Sequence, residues 1–327
     1  MNESNLLSPS QQVRYRFAAD LFDRVVGAQR FFERGIQRLI ESYGEAYLRF
    51  ADEHAAFLFH RGPEHGAVLD QAVKAYTRYS LEYNYMQQKL EMSGVARYQC
   101  ASFEEGRKEV YDNPDIMEGY YLDGLYLSQI LWPNHFRIMR YFLDQFVAGL
   151  PEKGSILELP LGTGAYSTYG LRDKPGWTGL GVDLSPSALA YSRNLIQHWR
   201  LGDRLSAEFG EGQKTLPWED NSFDAMITGE LLEHLDDPAS FLKECVRITK
   251  PGGFLFVTTA IYAAAVDHVY MFEDVASVNQ MLAGCGATMW SYLALPVRPA
   301  DALRPLVPTN YAAILQKPPI PKPSKRK

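Results

Sequence analysis

Three ionisable residues stand close together in Gly229-Glu230-Leu-Leu-Glu233-His234. Carboxylates and an imidazole at this spacing can take a proton from an acceptor hydroxyl or hold a hard or borderline cation. On a helix, Glu230, Glu233 and His234 fall at i, i+3 and i+4 and share one face. They could equally be structural, with His234 packed or hydrogen-bonded. Another acid, Glu158, closes the apolar run Ser155-Ile-Leu-Glu158 and precedes Leu-Pro-Leu-Gly162-Thr163-Gly164. A strand, a glycine turn and a helix N-terminus form a cradle for a nucleotide-like ligand. Glycine lets that backbone bend sharply and lets a ligand approach it. A dinucleotide loop reads G-x-G-x-x-G/A and sets a pyrophosphate on the helix N-terminus. Here the third small position is Ser167. A carboxylate at Glu158 would repel a diphosphate and suit a ligand carrying an ammonium and a sulfonium.

Asp183 ends Gly181-Val-Asp183-Leu184, about twenty residues past the glycine loop, where a doubly wound fold sets an acid against ribose hydroxyls. Its carboxylate can accept from both hydroxyls, or it can help Ser185 cap the next helix. Phe209-Gly-Glu211-Gly212 ends a third run. Glu211 there could accept from an adenine amino group or be a solvated turn acid. Asp224 stands at the entry of the fourth run, away from the carboxyl edge that holds such sites, which suggests a structural role.

The elements that must position these residues are legible as alternating patterns. Strands are expected at 155–159, 178–183, 205–209, 222–228, 253–259, 286–293 and 310–316, with helices at 186–199, 238–249 and 273–283. That alternation is an α/β class with a Rossmann-like, doubly wound, seven-stranded and mostly parallel sheet. Residues 1–148 read as an all-α cap or substrate domain, from apolar residues at helical spacing such as Phe17, Leu21, Phe22 and Val25. Gly94 should stop one helix, and Asn113-Pro114 should start another. The stretch Met117–Leu131 carries Tyr120, Tyr121 and Tyr126. Such aromatics usually pack in a core. They could also line a pocket over the strand ends, with Tyr120 and Tyr121 closing it or bonding the acceptor. Residues 149–317 form the second domain, and 318–327 read as a disordered tail.

The 327 residues are 46% hydrophobic, enough for a sizeable core, and carry a net charge of −6 without a long basic block in the body. That argues against nucleic acid as a partner. Cys100, Cys245 and Cys285 have neither disulfide-framework nor zinc spacing. No apolar run is long enough to span a bilayer, and the N-terminus is too polar for a signal peptide. These features fit a cytoplasmic protein without a membrane partner. An apolar face on the N-terminal helices could serve a homodimer.

Six motifs occur in a telling order: Glu158-Leu-Pro-Leu-Gly-Thr-Gly164, Val182-Asp183, Leu216-Pro-Trp, Asn221-Ser-Phe-Asp224, Leu232-Glu-His-Leu-Asp-Asp-Pro238 and Arg247-Ile-Thr-Lys-Pro-Gly-Gly253. Over about residues 150 to 317 the chain resembles the class I S-adenosylmethionine-dependent methyltransferases, most nearly the branch with the quinone-biosynthesis enzymes. The resemblance implies S-adenosylmethionine as cofactor. Gly162, Thr163 and Gly164 would meet its methionyl part, with Glu158 beside them, Asp183 its ribose and Glu211 its adenine, and Leu184, Gly212 and Gly229 would also contact the cofactor. Pro160-Leu161 stands where the family often has Gly-Cys or Gly-Ser, and Glu211 where it usually has Asp. Some RNA-terminal and quinone O-methyltransferases hold a metal with a similar Glu-x-x-Glu-His. His268 is the only downstream histidine able to complete such a set here, and it reads more simply as an ordinary residue of the insertion after the fifth strand. No metal is expected. The implied reaction is SN2 methyl transfer to a small, rather apolar acceptor of secondary metabolism, slightly favouring a hydroxyl oxygen. A C-methyltransferase acting on an isoprenoid-like or aromatic carbon, a silent cofactor-binding scaffold and a nicotinamide oxidoreductase are the competing readings.

Overall fold

The computed structural model describes residues 6–94, 97–212, 215–300 and 305–320. Seven strands make one sheet in the order β3-β2-β1-β4-β5-β7-β6. They are β1 (Lys153–Glu158), β2 (Gly176–Asp183), β3 (Leu205–Phe209), β4 (Phe223–Thr228), β5 (Thr249–Ile261), β6 (Thr288–Pro296) and β7 (Thr309–Gln316). β1 to β5 pair in parallel, and β7 runs antiparallel between β5 and β6. The central strands are continuous apolar runs because both faces are covered; Leu255, Phe256 and Val257 are all fully buried. Helices Ala165–Asp173, Pro186–His198, Pro238–Ile248 and Val275–Ala283 connect the strands. Ser185, Asp237 and Asp274 cap the last three, each side chain accepting a backbone N–H.

The chain before β1 is helical, as its apolar spacing predicts: Arg16–Ala28, Glu33–His60, His65–Ser93, Leu122–Leu131 and Pro133–Tyr141 are its main helices. Gly94, at φ 63°, ends the third, and Asn113 caps the turn beginning at Pro114. These helices share one apolar core with the sheet, running from Ala18 and Phe22 through Phe136 to Tyr169 and Phe256. Buried His54 stitches the two together. Its Nε2 meets the Tyr126 carbonyl at 2.7 Å and its Nδ1 the Tyr169 hydroxyl at 2.8 Å. Burial pulls the ring down to about 3, so it is neutral. A carbonyl only accepts, so Nε2 holds the proton and Nδ1 accepts from Tyr169. From residue 321 onward the expected tail lies outside the described residues.

Segment Phe103–Tyr121 crosses the carboxyl ends of the strands and is pinned there. The Phe103 N–H donates to Asp236 at 3.1 Å, Ser185 Oγ donates to the Tyr111 carbonyl at 2.9 Å, and Ser187 Oγ donates to Glu118 at 2.7 Å. Behind it, Gly124 lets two helices touch. A Cβ there would lie 2.4 Å from Cβ of Tyr79 and 2.5 Å from its Cγ. Gly124→Ala is therefore expected to lower the unfolding free energy by about 1–3 kcal/mol, the usual cost of overpacking. Urea denaturation measures this; an unchanged midpoint would show that the helices part without strain.

Candidate active site

A cavity of about 420 Å³ lies between the helices and the strand ends. Its sheet side holds Glu158, Gly162, Thr163, Asp183, Leu184 and Gly229, all of them expected from the sequence. Glu158 is 2% exposed, and its carboxylate accepts the Ser167 N–H at 2.9 Å. The N-terminus of helix Ala165–Asp173, where a phosphate would sit in a dinucleotide site, thus faces the protein's own carboxylate. Burial pushes Glu158 up to about 8, so a cation beside it would be strongly coupled to its proton. Asp183, also buried, accepts Gly162 N–H at 2.7 Å and Ser185 N–H at 2.8 Å. It therefore shapes the glycine loop, braces the Ser185 cap and still borders the cavity. Gly162 and Gly164 have φ of 52° and 76°, which other residues adopt poorly. Gly164 itself turns the loop without lining the cavity. A Cβ on Gly229 would come within 3.1 Å of the Tyr166 ring.

Glu230, Glu233 and His234 all reach the cavity, but not from one face of a helix. Glu230 has φ 47°, and only Leu232–His234 form a single 3₁₀ turn. The next helix begins at Pro238, as expected, with Asp237 capping it. Burial drives the Glu230 carboxyl up, and burial plus the neighbouring Glu230 drives Glu233 well up. A proton on one of the two is favoured by their mutual repulsion. Glu233 accepts from the Thr259 hydroxyl at 2.7 Å and from Ala260 N–H at 3.3 Å.

Two residues unread in the sequence, Tyr111 and Asp267, complete this corner together with His268. The Tyr111 hydroxyl donates to Asp267 Oδ2 at 2.8 Å, and His234 Nδ1 lies 2.9 Å from that hydroxyl and 3.0 Å from the Asp267 carbonyl. The carbonyl can only accept, so Nδ1 carries a proton and the Nδ1–H tautomer of His234 presents a bare Nε2. His268 is not an ordinary insertion residue. Its ring centre is 4.7 Å from that of His234, and its Nδ1 faces the Ala263 carbonyl at 2.6 Å, which leaves its Nε2 bare as well. Burial, then His234, pulls His268 down to about 4. Glu233, His234 and His268 each bring a ligand atom within 4.8 Å of the others. Burial alone would raise Asp267, yet His234, His268 and Tyr111 hold it below the ordinary range.

Other expected positions fall elsewhere. Tyr121 borders the cavity and its hydroxyl reaches Asp267 at 3.3 Å. Tyr120 does not line it; its ring packs beneath the Arg78 guanidinium at 4.0 Å. Glu211 is solvent-facing and pairs with Arg107 at 2.8 Å. Gly212 lies against Leu159, so neither borders the cavity.

A family profile described as a methyltransferase domain matches residues 157–257. A ubiquinone/menaquinone biosynthesis C-methyltransferase of Desulfotalea psychrophila is 34% identical over 109 residues, 32% of this chain and 41% of that protein. A ubiquinone biosynthesis O-methyltransferase of Thiobacillus denitrificans is 34% identical over 84 residues, 26% of this chain and 35% of that protein. The chain thus spans less than half the length of these relatives. A solved geranyl diphosphate methyltransferase in complex with its cofactor has a TM-score of 0.48 and 10% identity, covering 68% of this chain and 98% of its own. The cofactor shared across this family is S-adenosylmethionine, and the Glu158 carboxylate beside the glycine loop suits its cationic methionyl end. Residues 157–257 therefore match a methyltransferase domain, and the relatives that this stretch resembles include quinone-biosynthesis methyltransferases, which supports a class I S-adenosylmethionine-dependent methyltransferase.

Proposed function

We propose that the chain transfers a methyl group to a hydroxyl oxygen of a small, largely apolar acceptor held between the helices and the sheet. One observation carries the donor side: Glu158 takes the helix N–H that a diphosphate would need. Glu158 would meet the methionyl ammonium, and Asp183 the ribose hydroxyls. The bound cofactor supplies an activated methyl on a sulfonium. The chain's own task is then mainly positioning and exclusion of water, worth on the order of 7–11 kcal/mol in favourable cases. Tyr79, Tyr83, Tyr121 and Trp132 supply an aromatic wall for the acceptor. His234, with Nε2 bare and Asp267 behind Nδ1, is suited to take the hydroxyl proton. Asp267 would then stabilise the imidazolium without itself being protonated.

The convergence of Glu233, His234 and His268 favours a second reading, in which a divalent cation sits on these three donors. Two nitrogens already held in the ligating tautomer, with Asp267 and Tyr111 behind one of them, suit such a set. The ion would lower the acceptor hydroxyl's pKa in place of a base.

Calorimetry with S-adenosylmethionine, adenosylhomocysteine and NAD tests the donor assignment. Binding of the first two and not of NAD is expected, and tight binding of NAD alone would end it. For the cluster, turnover unchanged by EDTA supports the base, and loss of turnover restored by Mn²⁺ supports the ion.

A further inference from the structure

The far wall of the cavity comes from helix Leu122–Leu131 and the residues just after it. Leu125, Gln129 and Trp132 lie on one face of that wall and border the space. Most polar groups there are already satisfied. Ser128 gives its proton to the Leu125 carbonyl at 2.7 Å, so its oxygen accepts from His135 Nδ1 at 2.9 Å. Burial pulls His135 down to about 4, so the ring is neutral. Its bare Nε2 accepts from Asn310 Nδ2 at 3.2 Å, and Asn310 Oδ1 accepts from Asn134 at 3.2 Å. This chain is closed and uncharged. Gln129 stands outside it: the residue is 8% exposed, borders the cavity, and its Oε1 has no hydrogen-bond partner. A buried carbonyl oxygen without a donor is costly, and because Gln129 borders the cavity, a turn of its amide brings that oxygen to the open space, where a ligand's donor can satisfy it.

The charge of the walls sets a second limit. Among the described residues no lysine or arginine lines the cavity, whereas Glu158, Asp183, Glu230 and Glu233 do. A carboxylate or phosphate on the acceptor would be buried without a partner, beside acids.

We propose that Gln129 reads the end of the acceptor that lies against the helical wall, and that the acceptor is an uncharged, ring-bearing molecule with a hydroxyl or amide N–H at that end. This rests on the methyltransferase reading above. It is tested by calorimetry with three probes of one shape, in the presence of adenosylhomocysteine: 6-hydroxy-2-naphthamide, 2-naphthol and 6-hydroxy-2-naphthoate. The naphthamide is expected to bind up to about tenfold tighter than the naphthol, the worth of one neutral hydrogen bond. The naphthoate should bind on the order of 100-fold more weakly than the naphthamide. Gln129→Leu should bring naphthamide and naphthol within about twofold of each other. It should also raise the Tm of the ligand-free protein by about 2 °C, since it removes an unpartnered buried oxygen.

Equal binding of the naphthoate would overturn the inference. So would a preference for the naphthamide that survives Gln129→Leu, a lower Tm in that variant, or failure of all three probes while adenosylhomocysteine binds. Failure of adenosylhomocysteine itself to bind would sink the donor assignment instead, so the two failures are distinguishable.

Discussion

Alanine at His234 is expected to lower turnover by about 10²–10⁴-fold, the range a positioned base supplies, while adenosylhomocysteine binds as tightly as to the parent. The reason is local. Asp267 and Tyr111 hold the Nδ1 side of the ring, so Nε2 is the nitrogen left for an acceptor. Glu158 and Asp183 bond to Ser167, Gly162 and Ser185, and the link from Ser185 Oγ to the Tyr111 carbonyl does not involve the His234 ring. Glu233→Gln should fall in the same range, because Glu233 supports the corner from the Thr259 side. His268 separates the two readings of the cluster. A base needs only His234 and the groups behind it, so His268→Ala should cost little. A cation needs all three donors, so His268→Ala should cost as much as His234→Ala, and excess Mn²⁺ should restore part of it. Single-turnover methylation with saturating cofactor makes the measurement. Parent-like rates in His234→Ala without added metal would remove the oxygen-acceptor chemistry and leave the carbon-acceptor reading.

The sheet side of the cavity could be read from the chain because its residues lie at strand ends, next to one another in sequence or one crossover apart. Glu158 and Asp183 end β1 and β2, neighbours in the sheet, and an apolar run closed by an acid is a local pattern. The acceptor half was legible only in part. Glu230, Glu233 and His234 reach the cavity, but through a left-handed residue and a 3₁₀ turn that helical periodicity does not describe. Tyr111 and Asp267 bond across 156 residues, and no spacing rule links such positions. Tyr120 and Tyr121 part company because adjacent residues on a helical turn point to different sides, so one can face the cavity while the other packs under Arg78. Glu211 was drawn away by Arg107, 104 residues earlier in the chain. In each case the missing information was tertiary: which cation, carbonyl or hydroxyl would arrive from the helical half.

Glu158 carries the last of the large effects, and its sign depends on what is bound. Its folded carboxyl titrates near 8, above the ordinary value, chiefly because it is buried. The folded protein therefore keeps this proton over a range where the unfolded chain has lost it. The stabilising contribution is fully present below the ordinary carboxylate pKa and is lost as pH rises through about 8. Glu158→Gln keeps the neutral shape, so the ligand-free variant should be as stable as the parent near pH 4 and increasingly more stable as pH rises toward 9. Thermal melts across that range measure the difference, and a gap that narrows with pH would refute the assignment. With a cationic donor bound the order reverses, because the ammonium favours the ionised carboxylate. The parent should release a proton on binding below pH 8, seen as a dependence of the calorimetric heat on buffer ionisation enthalpy. Its affinity should rise with pH up to that point. Glu158→Gln should lose both behaviours and bind S-adenosylmethionine about 10- to 100-fold more weakly, as expected for a lost hydrogen bond to a charged group. A glutamine variant that matched the parent in affinity and in proton release would mean that the carboxylate serves only to cap the helix at Ser167.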